Sequence, residues 1–145
     1  MKRETFKITI NAAAERVWEV LWSDNYYRRW AAVFMEGSLA QTDWKEGSKV
    51  LFVSPEGEGM VSSIVSKKTN EHMVFRHLGT ISKGVEDLDN EWTGAMESYK
   101  LEANGATTLT VEMDSTEEYL EYFKKAWPKA LDSIKELAEK DSPKG

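Results

Sequence analysis

Residues 115–140, STEEYLEYFKKAWPKALDSIKELAEK, read as one amphipathic helix, and the rest of the chain takes its arrangement from it. Leu120, Phe123, Trp127, Ala130 or Leu131, Ile134 and Leu137 or Ala138 recur at helical spacing and form one apolar stripe. Lys124, Lys125, Lys129, Lys135 and Glu136 fall mostly off that stripe. Asp114, Ser115 and Thr116 stand ahead of Glu117 and Glu118. Side-chain oxygens there cap free backbone N–H groups, and early acids complement the positive end of the helix dipole. Pro128 lacks an N–H and crowds the turn before it, so a bend is expected between Lys124 and Trp127. The bend has two readings. One is a proline tolerated in an ordinary core helix; the other is a gap between helix and sheet in which a ligand sits.

Outward from this helix the sequence alternates. Phe6, Ile8 and Ile10 share one face of a first strand, with Thr5, Lys7 and Thr9 on the other. Asn11 ends that strand and is placed to cap a short helix, AAAERVWEVLW, in which Val17, Trp18, Leu21 and Trp22 cluster. Ser23 and Asp24 break the pattern before a second short helix, NYYRRWAAVF. Strands then follow near Ser38 to Thr42, in KVLFVS, MVSSIVSKK, MVFRHLGTIS, AMESYKLEA and TTLTVEMD, with turns at PEGEG and TNEH. Asn104-Gly105 between two alternating runs is a strong hairpin signal. The sum is an α+β domain: about seven strands in a curved antiparallel sheet, two short helices after the first strand, and the long helix lying across one face. One domain over residues 1–145 is expected, with Asp141 to Gly145 as a polar tail.

Composition narrows the function. A net charge of −6 argues against nucleic-acid or anionic-membrane binding, which need basic patches. There is no cysteine, which removes disulfides, thiolate catalysis and cysteine-based zinc sites. The opening MKRETFKITINAAAERV lacks the apolar run of a signal peptide, and no stretch is long enough to span a membrane; a cytoplasmic location is expected. Six tryptophans imply bulky packing or an aromatic-lined cavity.

ITINAAAERVWEVLW (8–22) with YYRRW (26–30), the Gly-bounded central strands and FKKAWPKALDSIKELAE (123–139) resemble the START-related helix-grip superfamily (SRPBCC). Within it the chain is similar to the branch homologous to the activator of heat-shock-protein-90 ATPase. Val17-Trp18, Trp30 and the Trp127, Leu131, Ile134, Leu137 spacing carry the resemblance. It implies a sheet gripping the C-terminal helix around a hydrophobic cavity. Co-chaperone members carry an additional N-terminal chaperone-binding domain. These 145 residues show none, which weighs against a chaperone role.

Strand parity nominates the cavity residues. Leu109, Val111 and Met113 share the face taken as inward, Glu97 shares parity with Tyr99 and Leu101, and Met73, Phe75 and His77 share another inward face. His77 and Glu97 thereby become a candidate pair, either orienting or protonating a ligand group or simply bonding each other. The ligand-lining set is Trp30, Phe52, Phe75, His77, Trp92, Glu97, Tyr99, Phe123 and Trp127, with His77 and Glu97 the only catalytic candidates. The acidic run Glu86, Asp87, Asp89, Glu91 fails the spacing of a calcium loop, since Trp92 and Ser98 fall where glycine and glutamate are needed. His72 and His77 lie on opposite strand faces, and no nucleophile elbow exists. No metal and no cofactor are expected. The leading reading is a binding domain for a small hydrophobic or amphipathic ligand. The alternatives are a cyclase- or hydrolase-like enzyme in the same cavity, or a chaperone ATPase activator; a weak homodimer is left open.

Overall fold

The computed structural model describes residues 1–140, so the expected tail at Asp141 to Gly145 lies outside the described residues. In chain order the elements are β1 (Lys2–Ile10), α1 (Ala14–Trp22), α2 (Asp24–Ala31), β2 (Leu39–Gln41), β3 (Lys49–Val53), β4 (Gly59–Lys68), β5 (His72–Ser82), β6 (Val85–Asp87), β7 (Met96–Asn104), β8 (Ala106–Ser115) and α3 (Glu117–Lys140). All strand pairs are antiparallel, in the order β1-β8-β7-β5-β4-β3-β2, with β6 pairing to β5 beside that path. Neighbouring strands are mostly joined by short turns, and β1 closes against β8. This is the helix-grip arrangement. Among the described residues no helix is long and apolar enough to cross a membrane.

The sheet has eight strands rather than about seven, because Val85–Asp87 of the acidic loop pairs with the far end of β5, at Thr80–Ser82. On β5, β7 covers only His72–Arg76, so the far end of β5 would otherwise present bare backbone on that side. Gly79 permits that closure: a Cβ at this position would stand 1.9 Å from the Asp87 carbonyl oxygen. Gly79→Ala is therefore expected to cost about 2 kcal/mol and about 6 °C in Tm by forcing β6 off β5. Thermal unfolding followed by circular dichroism checks it, and an unchanged Tm refutes the close approach. Gly105 adopts φ +83° in the β7–β8 turn, the region that Asn-Gly turns require.

The long helix forms where its stripe predicts. Ala126, Trp127, Ala130, Leu131, Ile134 and Ala138 are buried, while Lys124, Lys125, Pro128 and Lys129 face water. Its expected hydroxyl cap is not made: Ser115 Oγ donates to the Thr116 carbonyl, and Thr116 Oγ1 is buried without a partner among the described residues. Asn11 likewise does not cap α1, which starts three residues later after Ala13. The Asn11 backbone N–H instead donates to Glu139 at the end of α3, 2.7 Å away. Arg16 of α1 is buried and donates to the carbonyls of Leu137 and Ala138, placing a cation at the negative end of α3.

The core lies between the sheet's concave face and the three helices. Ile10, Val50, Ile64, Met73, Phe75, Leu101, Leu109 and Val111 from the strands meet Val17, Val20, Leu21, Trp30, Leu131 and Ile134 from the helices. A small second cluster, Val53, Val61 and Ile81, packs on the opposite face. Two bulges set which residue faces which side. The register between β4 and β5 shifts at Val61/Ser62, leaving Leu78 unpaired, and again at Ile64/Ser66, leaving Val65 unpaired. The first bulge follows His77 directly, so β5 turns its apolar face outward immediately after that residue.

Candidate functional site

A cavity of about 550 Å³ opens between the sheet, α2 and the first turns of α3. Its walls are largely aromatic. Trp30 is held by its indole N–H, which donates to the carbonyls of Val20 and Leu21 at 3.1 and 3.3 Å and so fastens α2 to the end of α1. Trp127 donates its N–H to Met113 Sδ at 2.8 Å. Its ring meets Phe34 at 4.9 Å, Tyr99 at 5.9 Å, Phe6 at 6.1 Å and Trp30 at 6.2 Å between centroids. Such contacts fix the rings in place, so the wall is a set of fixed apolar and π surfaces.

One polar chain crosses this wall. The register that pairs Ser62 with His77 and Phe75 with Glu97 brings three strands' side chains together. Ser62 Oγ lies 2.6 Å from His77 Nδ1, and His77 Nε2 lies 3.2 Å from Glu97 Oε1. The Tyr99 hydroxyl donates to Glu97 Oε2. Either protonation state of the imidazole satisfies both contacts: Nε2–H donates to Glu97, and Nδ1 accepts from the Ser62 hydroxyl when bare or donates to it when protonated. Burial pushes the Glu97 carboxyl up, but the hydrogen bond and charge of His77 and the hydrogen bond from Tyr99 outweigh it and hold the group below its ordinary value. Burial first, and then the Glu97 charge, push the phenols of Tyr99 and Tyr27 up, so both stay protonated.

The structure brings eight of the nine lining candidates together: Trp30, Phe52, His77, Trp92, Glu97, Tyr99, Phe123 and Trp127 all border the cavity. Phe75 does not. It is fully buried beneath the wall, against Phe52 and Trp22 at 5.2 and 5.4 Å. It shares His77's face, but face alone does not set depth, and the packed rings above it separate it from the opening. His72 lies away from the site and bonds Ser66 Oγ at 2.9 Å. Parity reasoning missed Tyr27 and Phe34, which reach the cavity from α2 and just beyond it. It also missed Met60 and the mouth residues Met35, Tyr119 and Tyr122, whereas Met113, read as inward, does border the cavity. Ser62 was legible as an inward residue in MVSSIVSKK only by its parity with Ile64.

The arrangement does not make a hydrolase triad. Ser62 is fully buried and lies behind His77, off the cavity wall, so it orients the imidazole rather than meeting a substrate. Proton transfer near neutrality is served best by groups titrating there. Glu97 is pulled low and the two phenols are pushed high, which suits fixed acceptor and donor roles.

Residues 11–139 match the family described as Activator of Hsp90 ATPase homolog 1-like protein. The fold is similar to the Aha1 dimer of Colwellia psychrerythraea, with 19% identity, TM-score 0.75 and full coverage of both chains. It is also similar to CalU16 of Micromonospora echinospora, with 17% identity and TM-score 0.69 over 99% of this chain and 69% of that one. A third similar structure is DynU16, a putative protein in the dynemicin biosynthetic locus, at 15% identity and TM-score 0.72 over 99% of this chain and 49% of that one. No curated protein matches the chain in sequence.

Proposed function

The chain belongs to the Activator of Hsp90 ATPase homolog 1-like family, and from that premise we propose that it is a binding domain for a small hydrophobic or amphipathic molecule. The observation that carries this reading is the cavity: about 550 Å³, walled largely by rings held in fixed contacts, with His77, Glu97 and Tyr99 as a compact hydrogen-bonded polar group in that wall. Ligand sites have this composition, since apolar walls supply affinity and a few fixed polar groups supply orientation. Binding is favoured over catalysis because Ser62 lies behind His77 and off the wall, Glu97 is pulled low and Tyr99 is pushed high.

The neutral dye Nile red is expected to be taken up with a blue-shifted emission, in stoichiometric amount. Ala31, buried at the end of α2, lines the cavity, so Ala31→Phe fills it from within. That variant is expected to weaken uptake about tenfold with an unchanged circular dichroism spectrum. Native mass spectrometry of the freshly purified protein gives an independent readout, as an added non-covalent mass. Failure of the native chain to take up the dye, or uptake indifferent to Ala31→Phe, rejects the binding reading.

A further inference from the structure

The charges around the cavity are one-sided. Among the described residues three carboxylates border it, Glu58, Glu97 and Asp114, and no lysine or arginine does so. Two of the three are already answered from outside the wall. Asp114 receives Arg3 Nε at 2.9 Å and the Met96 backbone N–H at 2.9 Å. Glu58 is exposed at the mouth and accepts from Ser82 Oγ at 3.0 Å and the Lys83 N–H at 2.8 Å. Glu97 is different: its partners, His77 and the Tyr99 hydroxyl, belong to the cavity wall itself, and no lysine or arginine among the described residues pairs with it. Its side chain keeps 18% of its surface accessible, and that surface borders the cavity.

A second group points the same way. Tyr27 is 7% exposed and borders the cavity. Its phenol is near enough to feel the Glu97 charge, yet makes no hydrogen bond among the described residues. A phenol hydroxyl at the cavity wall with no partner among the described residues is free to bond a ligand atom. Carboxylate and phenol oxygen together accept two N–H bonds. The rings of Trp30, Trp127 and Phe52 border the same cavity, and an aromatic face attracts a cation.

We propose that the cavity selects a cationic amphiphile, an aromatic or aliphatic body ending in a protonated amine, with the ammonium seated between Glu97 and Tyr27. Carboxylate and phosphate amphiphiles are rejected, because they would bring a second negative charge beside Glu97 into a site lined by no lysine or arginine among the described residues. This rests on the binding-domain reading above and names the ligand class of the same cavity.

The test uses the intact chain and three probes of one skeleton: 2-(1-naphthyl)ethylamine, the corresponding alcohol, and the corresponding carboxylate. Affinities are measured by calorimetry at neutral pH and physiological salt. The amine is expected to bind about tenfold tighter than the alcohol, and the carboxylate more weakly than either. Glu97→Gln removes the preference for the amine over the alcohol. Tyr27→Phe keeps the ring, removes the hydroxyl, and weakens the amine several-fold more than the alcohol; it serves where Glu97→Gln does not fold. An alcohol or carboxylate that binds as well as the amine overturns the charge selection while the binding domain stands. A preference that survives in Glu97→Gln and vanishes in Glu58→Gln also overturns it, by placing the anchor at the mouth. If none of the probes binds and Nile red is also refused, both readings fall.

Discussion

Trp127→Ala is expected to lower the unfolding free energy by about 4 kcal/mol and Tm by about 12 °C. Trp127 is 3% exposed, midway along α3, and is the point at which that helix meets the strands and α2 at once. Its ring touches Phe6 of β1, Trp30 of α2, Tyr99 of β7, and Phe34 in the segment after α2. Truncation loses the transfer free energy of a whole indole, and the neighbours cannot close the hole because each is pinned elsewhere. Trp30 is fixed by its own N–H bonds and Tyr99 by Glu97. Trp127→Phe separates the two contributions: it retains a ring, drops the bond to Met113 Sδ, and is expected to cost about half as much. Chemical denaturation of both variants gives the comparison. A loss below about 1 kcal/mol for the alanine variant would mean that the wall collapses freely, and a collapsible wall is not a preformed ligand site.

The same residue shows why the fold was readable from sequence. Trp127 stands on a stripe that runs from Leu120 to Ala138, about five turns, and a pattern of that length leaves one solution for the helix face. Strand parity was equally informative where pairing is regular. It put His77 and Glu97 on the inward face, and the structure joins them at 3.2 Å. What parity cannot supply is depth or irregularity. Phe75 and His77 share a face, yet packed rings cover one and a bulge at Leu78 leaves the other at the cavity wall. The bulges have no signature in MVSSIVSKK or MVFRHLGTIS, because they are set by pairing across two strands. The mouth residues Met35, Tyr119 and Tyr122 sit in a loop and on a helix flank, where no period predicts what they approach. Capping failed for a related reason: the oxygens of Asn11, Ser115 and Thr116 have the right chemistry, but tertiary partners fix where each helix begins.

His77→Leu is expected to cost about 3 kcal/mol at neutral pH, and much of that loss is expected to disappear as the solution is acidified. The sign follows from the linkage. In the native protein the Glu97 carboxyl sits below 4.5 when folded, so its ionised form contributes stability above about that pH, and the contribution fades as pH falls through the folded value. Removing the imidazole deletes the first two of the favourable influences and leaves burial, the largest one, opposed only by Tyr99. The carboxyl then rises above its unfolded value and becomes a liability at neutral pH that protonation removes. The groups facing it from every side give no alternative rescue. Ser62 on β4, Tyr27 on α2 and Tyr99 on β7 are neutral, Asp114 on β8 is already taken by Arg3, and no lysine or arginine among the described residues borders the cavity. The native chain should therefore lose stability on acidification toward pH 4 while His77→Leu loses less, so their difference narrows. Adding Glu97→Leu to His77→Leu should recover stability at neutral pH, because it removes the stranded charge rather than a contact. Urea denaturation of the native chain, the two single variants and the double variant, at neutral pH and near pH 4, decides it. A difference that stays constant with pH would mean that Glu97 carries no charge in the native wall, and the ammonium seat proposed for the cavity would lose its anchor along with it.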